Sequence, residues 1–421
     1  MNQPLSQPSG RHQFSNQPNQ RGQQRIVSLD VLRGFALMGI LVMNIQAFGI
    51  PFAAYLNPTA FGDFSGIHQL TWVLSHILAD SKFVNLLSIL FGAGVVLFID
   101  NARRHTLTDS FYSGFALHYR RTIGLLIFGL LHAYFIWFGD ILFLYGLCAL
   151  WLCFFVDVRP HLLLFFGIVL NLFIGVLGSL QGQYFDTLNS EELTAMLNIW
   201  SPAMASLEQE VANLTGSFAQ IQQVRTAQAS EQLSMVPALV FSITGTMMIG
   251  MALYQWGVLS AQRSAAFYRK MMIIGAAIAL PLIVFGVYSN FANEWRMVYS
   301  MGPGLVFNYI GSLILAISYI GLVMLAVKKA WLPGLQKRFA AVGQMALSNY
   351  IIQSILCTWF FYGYGLGYYG QLERFELLLP MAGVWALQLW YSPLWLAKFR
   401  FGPLEWFWRC LTYLKWQPFL R

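Results

Sequence analysis

Charge is what this sequence has least of: Asp, Glu, Lys and Arg make up 10% of its 421 residues, against roughly 25% in a soluble domain. So few charges cannot cover the chain's surface in water, which excludes an ordinary soluble globular protein and makes lipid the expected solvent. Cysteine is scarce as well. Cys148, Cys153 and Cys357 lie in apolar runs and Cys410 lies in the carboxyl-terminal tail. None forms a metal-type pair, so packing roles are expected, with no metal site and no permanently bound cofactor. No Gly-rich phosphate loop or nucleophile elbow is present. No cleavable leader is apparent, because the first apolar run starts after Ser28 and continues as a spanning helix. The net charge of +8 is scattered between apolar runs. A nucleic-acid partner needs its basic residues gathered on one soluble face, so that class is excluded too.

What is there is apolar: 57% of residues are hydrophobic and 16% aromatic. A spanning helix needs roughly 20 mainly apolar residues. Segments near 31–50, 83–99, 122–138, 141–157, 161–180, 236–259, 271–289, 303–327, 339–362 and 375–397 meet or approach this. The predicted fold is therefore an all-α polytopic membrane bundle of about ten transmembrane helices, occupying residues 26–400 in contact with the lipid bilayer. The stretch 68–82 reads as an interfacial or re-entrant helix. Residues 1–25, rich in Gln, Asn, Pro and Ser, read as a disordered tail. Residues 401–421 mix Trp with basic side chains and read as an interfacial anchor. Of the 25 Lys and Arg residues, 21 fall on one side of the ten-span arrangement and 4 on the other. The positive-inside rule then predicts both termini in the cytoplasm, and the inner membrane of a bacterial cell is the expected location. The one long outer loop, 181–235, is predicted to hold one or two amphipathic helices. Asn189 and Glu192 have capping-box spacing there.

Polar residues at membrane depth are costly and usually face the bundle interior, which makes them site candidates. Arg33 lies three residues after Asp30, near the start of the first span. Asn44 lies eleven residues further on, about 20° from the same face and about 16 Å along the axis. The plain alternative is a snorkelling Arg33 paired with Asp30. His132 lies eleven residues beyond Arg121 and eight before Asp140. A histidine there can exchange protons, or it can be a neutral interhelical hydrogen-bonding group, with Asp140 a helix cap. Asn349 and Gln353 share a face of the ninth span, where amides also serve as packing glue. His68 and His76, eight apart in the outer loop after the first span, are further candidates. One shared hollow holding Arg33, Asn44, His132, Asp140 and Asn349 is the expectation that a catalytic reading requires.

The run Ser28-Leu29-Asp30-Val31-Leu32-Arg33-Gly34-Phe35 resembles the YeiB-like family of bacterial membrane proteins. The blocks Leu87-Ser88-Ile89-Leu90-Phe91-Gly92, Gly129-Leu130-Leu131-His132, Gly139-Asp140-Ile141-Leu142, Gly343-Gln344-Met345-Ala346-Leu347-Ser348-Asn349-Tyr350 and Gly402-Pro403-Leu404-Glu405-Trp406 agree with it. Leu87 and Gln344 depart from the Phe and Arg usual there. The Leu-Asp-x-x-Arg-Gly opening is also similar to that of integral-membrane acyltransferases, among them polysaccharide O-acetyltransferases and heparan-alpha-glucosaminide N-acetyltransferase. That resemblance implies a helical bundle passing an acyl group from a cytoplasmic thioester donor to an acceptor on the other side. In the O-acyl branch a histidine stands where this chain has Asn44. The heparan enzyme also has Asn there, with a histidine further on at the distance of Tyr55, so His68 or His76 is the implied counterpart.

Two functions fit. In acyl transfer, an acyl-CoA-type donor substrate needs a positive mouth, for which Arg33, Arg120, Arg121 and Arg104 are candidates. A base near a small-molecule or glycan acceptor is then His132, or else His68 or His76, and Asn44 or Asn349 is a candidate oxyanion donor. The alternative is a carrier or channel for a small solute or lipid, since polar seams also line such paths.

Overall fold

The structure, a computed structural model, describes residues 26–105, 111–185 and 187–421; the tail expected over 1–25 lies outside them. The described residues form eighteen α-helices and no named strand. In order they are α1 (Val27–Gly49), α2 (Phe52–Leu56), α3 (Gly66–Leu78), α4 (Lys82–His105), α5 (Phe111–Phe135) and α6 (Leu142–Leu152). After a 3₁₀ turn at Cys153–Phe155 come α7 (Pro160–Phe185), α8 (Ser190–Trp200), α9 (Met204–Leu214), α10 (Phe218–Ser234), α11 (Val236–Gln255) and α12 (Ala265–Ala292). The chain ends with α13 (Met297–Ser300), α14 (Pro303–Lys328), α15 (Pro333–Gln344), α16 (Ala346–Phe361), α17 (Leu378–Lys398) and α18 (Pro403–Tyr413).

Lipid contact is written on the outside of this bundle. Helix α7 exposes Phe165, Ile168, Leu172, Phe173 and Val176, an apolar surface that water would not tolerate. Six described segments are long and apolar enough to cross a membrane, or seven if the bent pair α15–α16 counts as one. The sequence expectation of ten is corrected accordingly. Helix α6, with eleven residues, is about 17 Å long and falls short of a hydrocarbon core of about 30 Å. Helix α5 is long enough, but His118, Arg120, Arg121 and His132 reduce its hydropathy. The expected interfacial helix is α3, which exposes Ile67, Leu70, Leu74 and Leu78 in one stripe.

Helix α1 is the centre of the bundle, with Ser28, Asp30 and Gln46 buried among its apolar residues. It reaches α15 through two glycines. A Cβ on Gly34 would lie 1.9 Å from the Phe339 carbonyl oxygen, and one on Gly343 would lie 2.0 Å from that of Asp30. Gly92 of α4 and Gly250 of α11 make the same kind of reciprocal approach, each 2.0 Å from a facing carbonyl. Without a hydrophobic drive between helices in lipid, such close backbone packing is what holds them together.

The expected ninth span, 339–362, is broken. Helices α15 and α16 meet at an angle of 86° beside Met345. The freed backbone groups are satisfied from side chains. Asn349 Nδ2 donates to the Val342 carbonyl at 3.0 Å, and Glu405 of α18 accepts from the Leu347 and Ser348 amides at 2.7 and 3.0 Å. Helix α18 is thus more than the expected anchor: it caps a half-helix inside the bundle.

The insertion after α7 folds into three helices, α8 to α10, where one or two were expected. Asn189 and Glu192 form the expected capping box, and Ser217 with Gln220 forms a second. Arg225 of α10 is buried and donates to the Phe135 carbonyl at 2.7 Å, closing the end of α5.

Candidate functional site

The sharp turn after α5 brings two predicted residues together. His132 Nδ1–H donates to Asp140 Oδ2 at 2.8 Å, and both side chains are buried. Asp140 is also the cap that the sequence allowed, since its Oδ1 accepts from the Phe143 amide at 2.7 Å. A carboxylate can only accept, so Nδ1 is the donor in this pair, and Nε2 faces a second partner. That partner is the hydroxyl of Ser354, on α16, at 2.8 Å; the same hydroxyl donates to the Tyr350 carbonyl at 3.3 Å. Tyr350, one turn earlier on α16, packs its ring 4.9 Å from the imidazole and donates to the Gly139 carbonyl at 3.2 Å.

Tyr350 also lines a cavity of about 260 Å³. Its walls come from α1, α4, α5, α6, the α15–α16 break and α18. Phe98, Val95, Phe91, Leu90 and Leu87 line it along α4, a run of about 16 Å at 1.5 Å per residue. Arg33 and Arg121 line it near the end where α1 begins, together with His118 and Gln344. The Arg33 guanidinium pairs with Asp30 at 3.2 Å and reaches the Gly343 carbonyl at 3.5 Å. That of Arg121 is sandwiched between the rings of Phe98 and Trp408, 4.6 and 4.5 Å from their centroids. Such stacking holds a cation in place without neutralising it. Glu405 also lines the cavity. Burial pushes its carboxyl up from the usual carboxylate range, against the opposing pull of the Ser348 hydroxyl and amides.

A second, water-sized cavity of about 10 Å³ is lined by Asp140, together with Phe143, Leu144, Gln232 and Leu233. The single shared hollow expected from the sequence is corrected to this pair, and His132, Asn44 and Asn349 line neither. Arg33 lines the larger and Asp140 the smaller. At the far end of α1, an open cavity of about 800 Å³ is lined by Asn57, Trp200, Glu294, Trp295 and Arg296.

The other predicted residues go elsewhere. Arg120 is exposed and leaves the mouth to Arg33 and Arg121. Asn44 is half-buried and outside the cavity lining. Asn349 and Gln353 form an amide network, in which Gln353 donates to Gln388 at 2.9 Å and Gln388 to the Asn349 carbonyl at 2.9 Å. His68 accepts from the Phe375 amide at 3.4 Å. His76 pairs with Asp80 at 3.1 Å and stacks on Trp72. Beside it Lys82, one of the four basic residues that the ten-span arrangement puts on the side away from the termini, is fully buried and donates to Asn308 at 2.5 Å. Sequence reasoning passed over Ser354, Tyr350 and Glu405 as site residues. Only Glu405 carried a signal, as the lone carboxylate in the Trp-rich tail.

Comparison with known proteins follows from this arrangement. A family described as "Protein of unknown function (DUF418)" matches residues 253–415, a span that holds Ser354 and Glu405 but not the dyad. The chain is 32% identical to the uncharacterized protein YeiB of Escherichia coli (strain K12), over 92% of this chain and 96% of that one. It is 30% identical to the uncharacterized protein YxaH of Bacillus subtilis (strain 168), over 94% and 96%. Identity is 25% to an uncharacterized 39.9 kDa protein of Bacillus acidopullulyticus, encoded in the amylase 3' region, over the same shares. No solved structure matches.

Proposed function

We propose that this chain, which belongs to the YeiB-like DUF418 family, passes an acyl group through the membrane from an acyl-CoA-type thioester to an acceptor on the other side. Donor phosphates bind Arg33 and Arg121, and the donor's arm lies along the apolar wall from Phe98 to Leu87. His132, oriented by Asp140, is the general base at the inner end. The Tyr350 ring stands between and has to turn aside before a thioester carbonyl reaches His132, a gating step of the kind that many sites use. The mouth with its two arginines faces the cytoplasm of a bacterial cell, as do both termini, an orientation in keeping with the cations Arg33 and Arg121 at that end. The wide cavity with Trp200, Trp295, Asn57 and Arg296 suits a polar or glycan acceptor.

The five residues expected in one hollow do not share one, so the observation that carries the reading is instead the position of the dyad. It is buried, hydrogen-bonded through both ring nitrogens, and separated by one aromatic ring from a cavity with cations at its mouth. The test is purified protein in lipid nanodiscs with labelled acetyl-CoA. Binding that needs Arg33 and Arg121, with thioester cleavage that needs His132, supports the reading. Neither binding nor cleavage by the native chain refutes it.

A carrier for a small solute has one observation in its favour, the 86° break between α15 and α16 at the cavity wall. Transporters build their sites from such half-helices. Solute flux in proteoliposomes without thioester cleavage would select it.

A further inference from the structure

We propose that Ser354 is a covalent nucleophile, so that the acyl group crosses the membrane as an ester on its hydroxyl. This deepens the acyl-transfer reading and rests on it. A nucleophile is recognised when it lies within hydrogen-bond reach of a base that a third group orients. Ser354 Oγ is 2.8 Å from His132 Nε2, and Nδ1 of the same ring is 2.8 Å from Asp140. The three residues come from α16, α5 and the turn before α6, so the alignment is tertiary and not a by-product of helix spacing. The same arrangement recurs on unrelated folds and is identified by geometry and not by sequence order.

A covalent relay also answers a geometric difficulty. The cavity proposed for the donor and the wide cavity proposed for the acceptor share no lining residue, so a relay lets the acyl group pass without the two substrates meeting. In the first step His132 Nε2 takes the Ser354 proton, Oγ bonds to the thioester carbonyl carbon, and the carbon–sulfur bond breaks. The departing thiolate takes the proton from Nε2. In the second step an acceptor hydroxyl gives its proton to Nε2 and attacks the ester, and Ser354 Oγ leaves with that proton. Each step passes through an oxyanion, which needs a donor. Trp137 supplies one. Its ring packs against His132 at 6.4 Å, and its buried indole N–H finds no acceptor among the described residues. A buried donor left unpaired calls for an explanation, and a transient oxyanion provides it.

The experiment is intact-protein mass spectrometry of the full chain in nanodiscs, mixed with acetyl-CoA and quenched in acid within one turnover. The expected result is one added acetyl group, removed by hydroxylamine and mapped to the peptide containing Ser354. It should be absent in Ser354→Ala, although that variant still binds acetyl-CoA. In Ser354→Cys the group should reappear as a thioester. If the native chain cleaves acetyl-CoA and no adduct forms on Ser354, or if Ser354→Ala turns over at more than a tenth of the native rate, the relay is wrong while acyl transfer stands. If the native chain neither binds nor cleaves acetyl-CoA, the acyl-transfer reading fails and the relay with it.

Discussion

Gly94 of α4 lines the large cavity, and a Cβ added there meets nothing within 4 Å. Gly94→Leu therefore fills space that the account reserves for the donor's arm. A cavity of about 150 Å³ just holds the six carbons of benzene, so the four side-chain carbons of leucine take up about 100 Å³. That is more than a third of the 260 Å³ present. At about 24 cal/mol per Å³ of void removed, packing gains at most about 2.4 kcal/mol. The better helix propensity adds about 0.8 kcal/mol, and the leucine's lost rotamer freedom subtracts about as much. The variant should be more stable by roughly 2 kcal/mol and should bind acetyl-CoA at least tenfold more weakly, a loss of about 1.4 kcal/mol. Thermal unfolding in nanodiscs reads the first and titration calorimetry the second. Opposite signs for stability and affinity are the signature of a plugged site. A Gly94→Leu protein that melts earlier, or that binds acetyl-CoA as tightly as the native chain, contradicts the placement of the donor.

Arg33→Ala and Arg121→Ala should each weaken acetyl-CoA binding about tenfold, an effect that shrinks with added salt; Arg120→Ala, on an exposed face, should leave the calorimetric Kd unchanged. His132→Ala should lower turnover by about 10²- to 10⁴-fold while the donor Kd stays within about twofold, as read by single-turnover kinetics beside calorimetry. Gly34→Ala places a methyl 1.9 Å from a backbone oxygen and should cost roughly 1–3 kcal/mol or more, seen as a lower melting temperature. Burial raises the Glu210 carboxyl above its ordinary range, despite hydrogen bonds from Tyr369 and Gln228. A folded pKa above the unfolded one means stability that is present in acid and lost as pH rises through the raised value. Glu210→Gln should remove that slope from melting temperatures measured between about pH 4 and pH 8.

Local spacing made some of this legible. Asp30 and Arg33 are three positions apart, which places them on one helix face, and the ion pair is there at 3.2 Å. His132 and Asp140 flank a turn too short to keep them apart. The Asn189 capping box is a four-residue pattern and holds. What stayed hidden depends on where separate helices meet. Ser354 reaches His132 across 222 positions, because α16 starts afresh after an 86° break. That break leaves no mark in hydropathy, which reads 339–362 as one run. Lys82 looks like a loop cation, but its partner Asn308 lies 226 positions away. Counting apolar residues also overstates the spans, since α6 is apolar without being long enough to cross.

The most direct measurement is a cryo-electron microscopy structure of the protein in a nanodisc with a non-hydrolysable thioether analogue of acetyl-CoA. The account predicts ligand density between α1, α4, α5 and α16, with phosphates at Arg33 and Arg121, the Tyr350 ring turned aside, and the sulfur beside His132 and Ser354. Density elsewhere, or an unoccupied cavity at a ligand concentration that saturates binding, would contradict it.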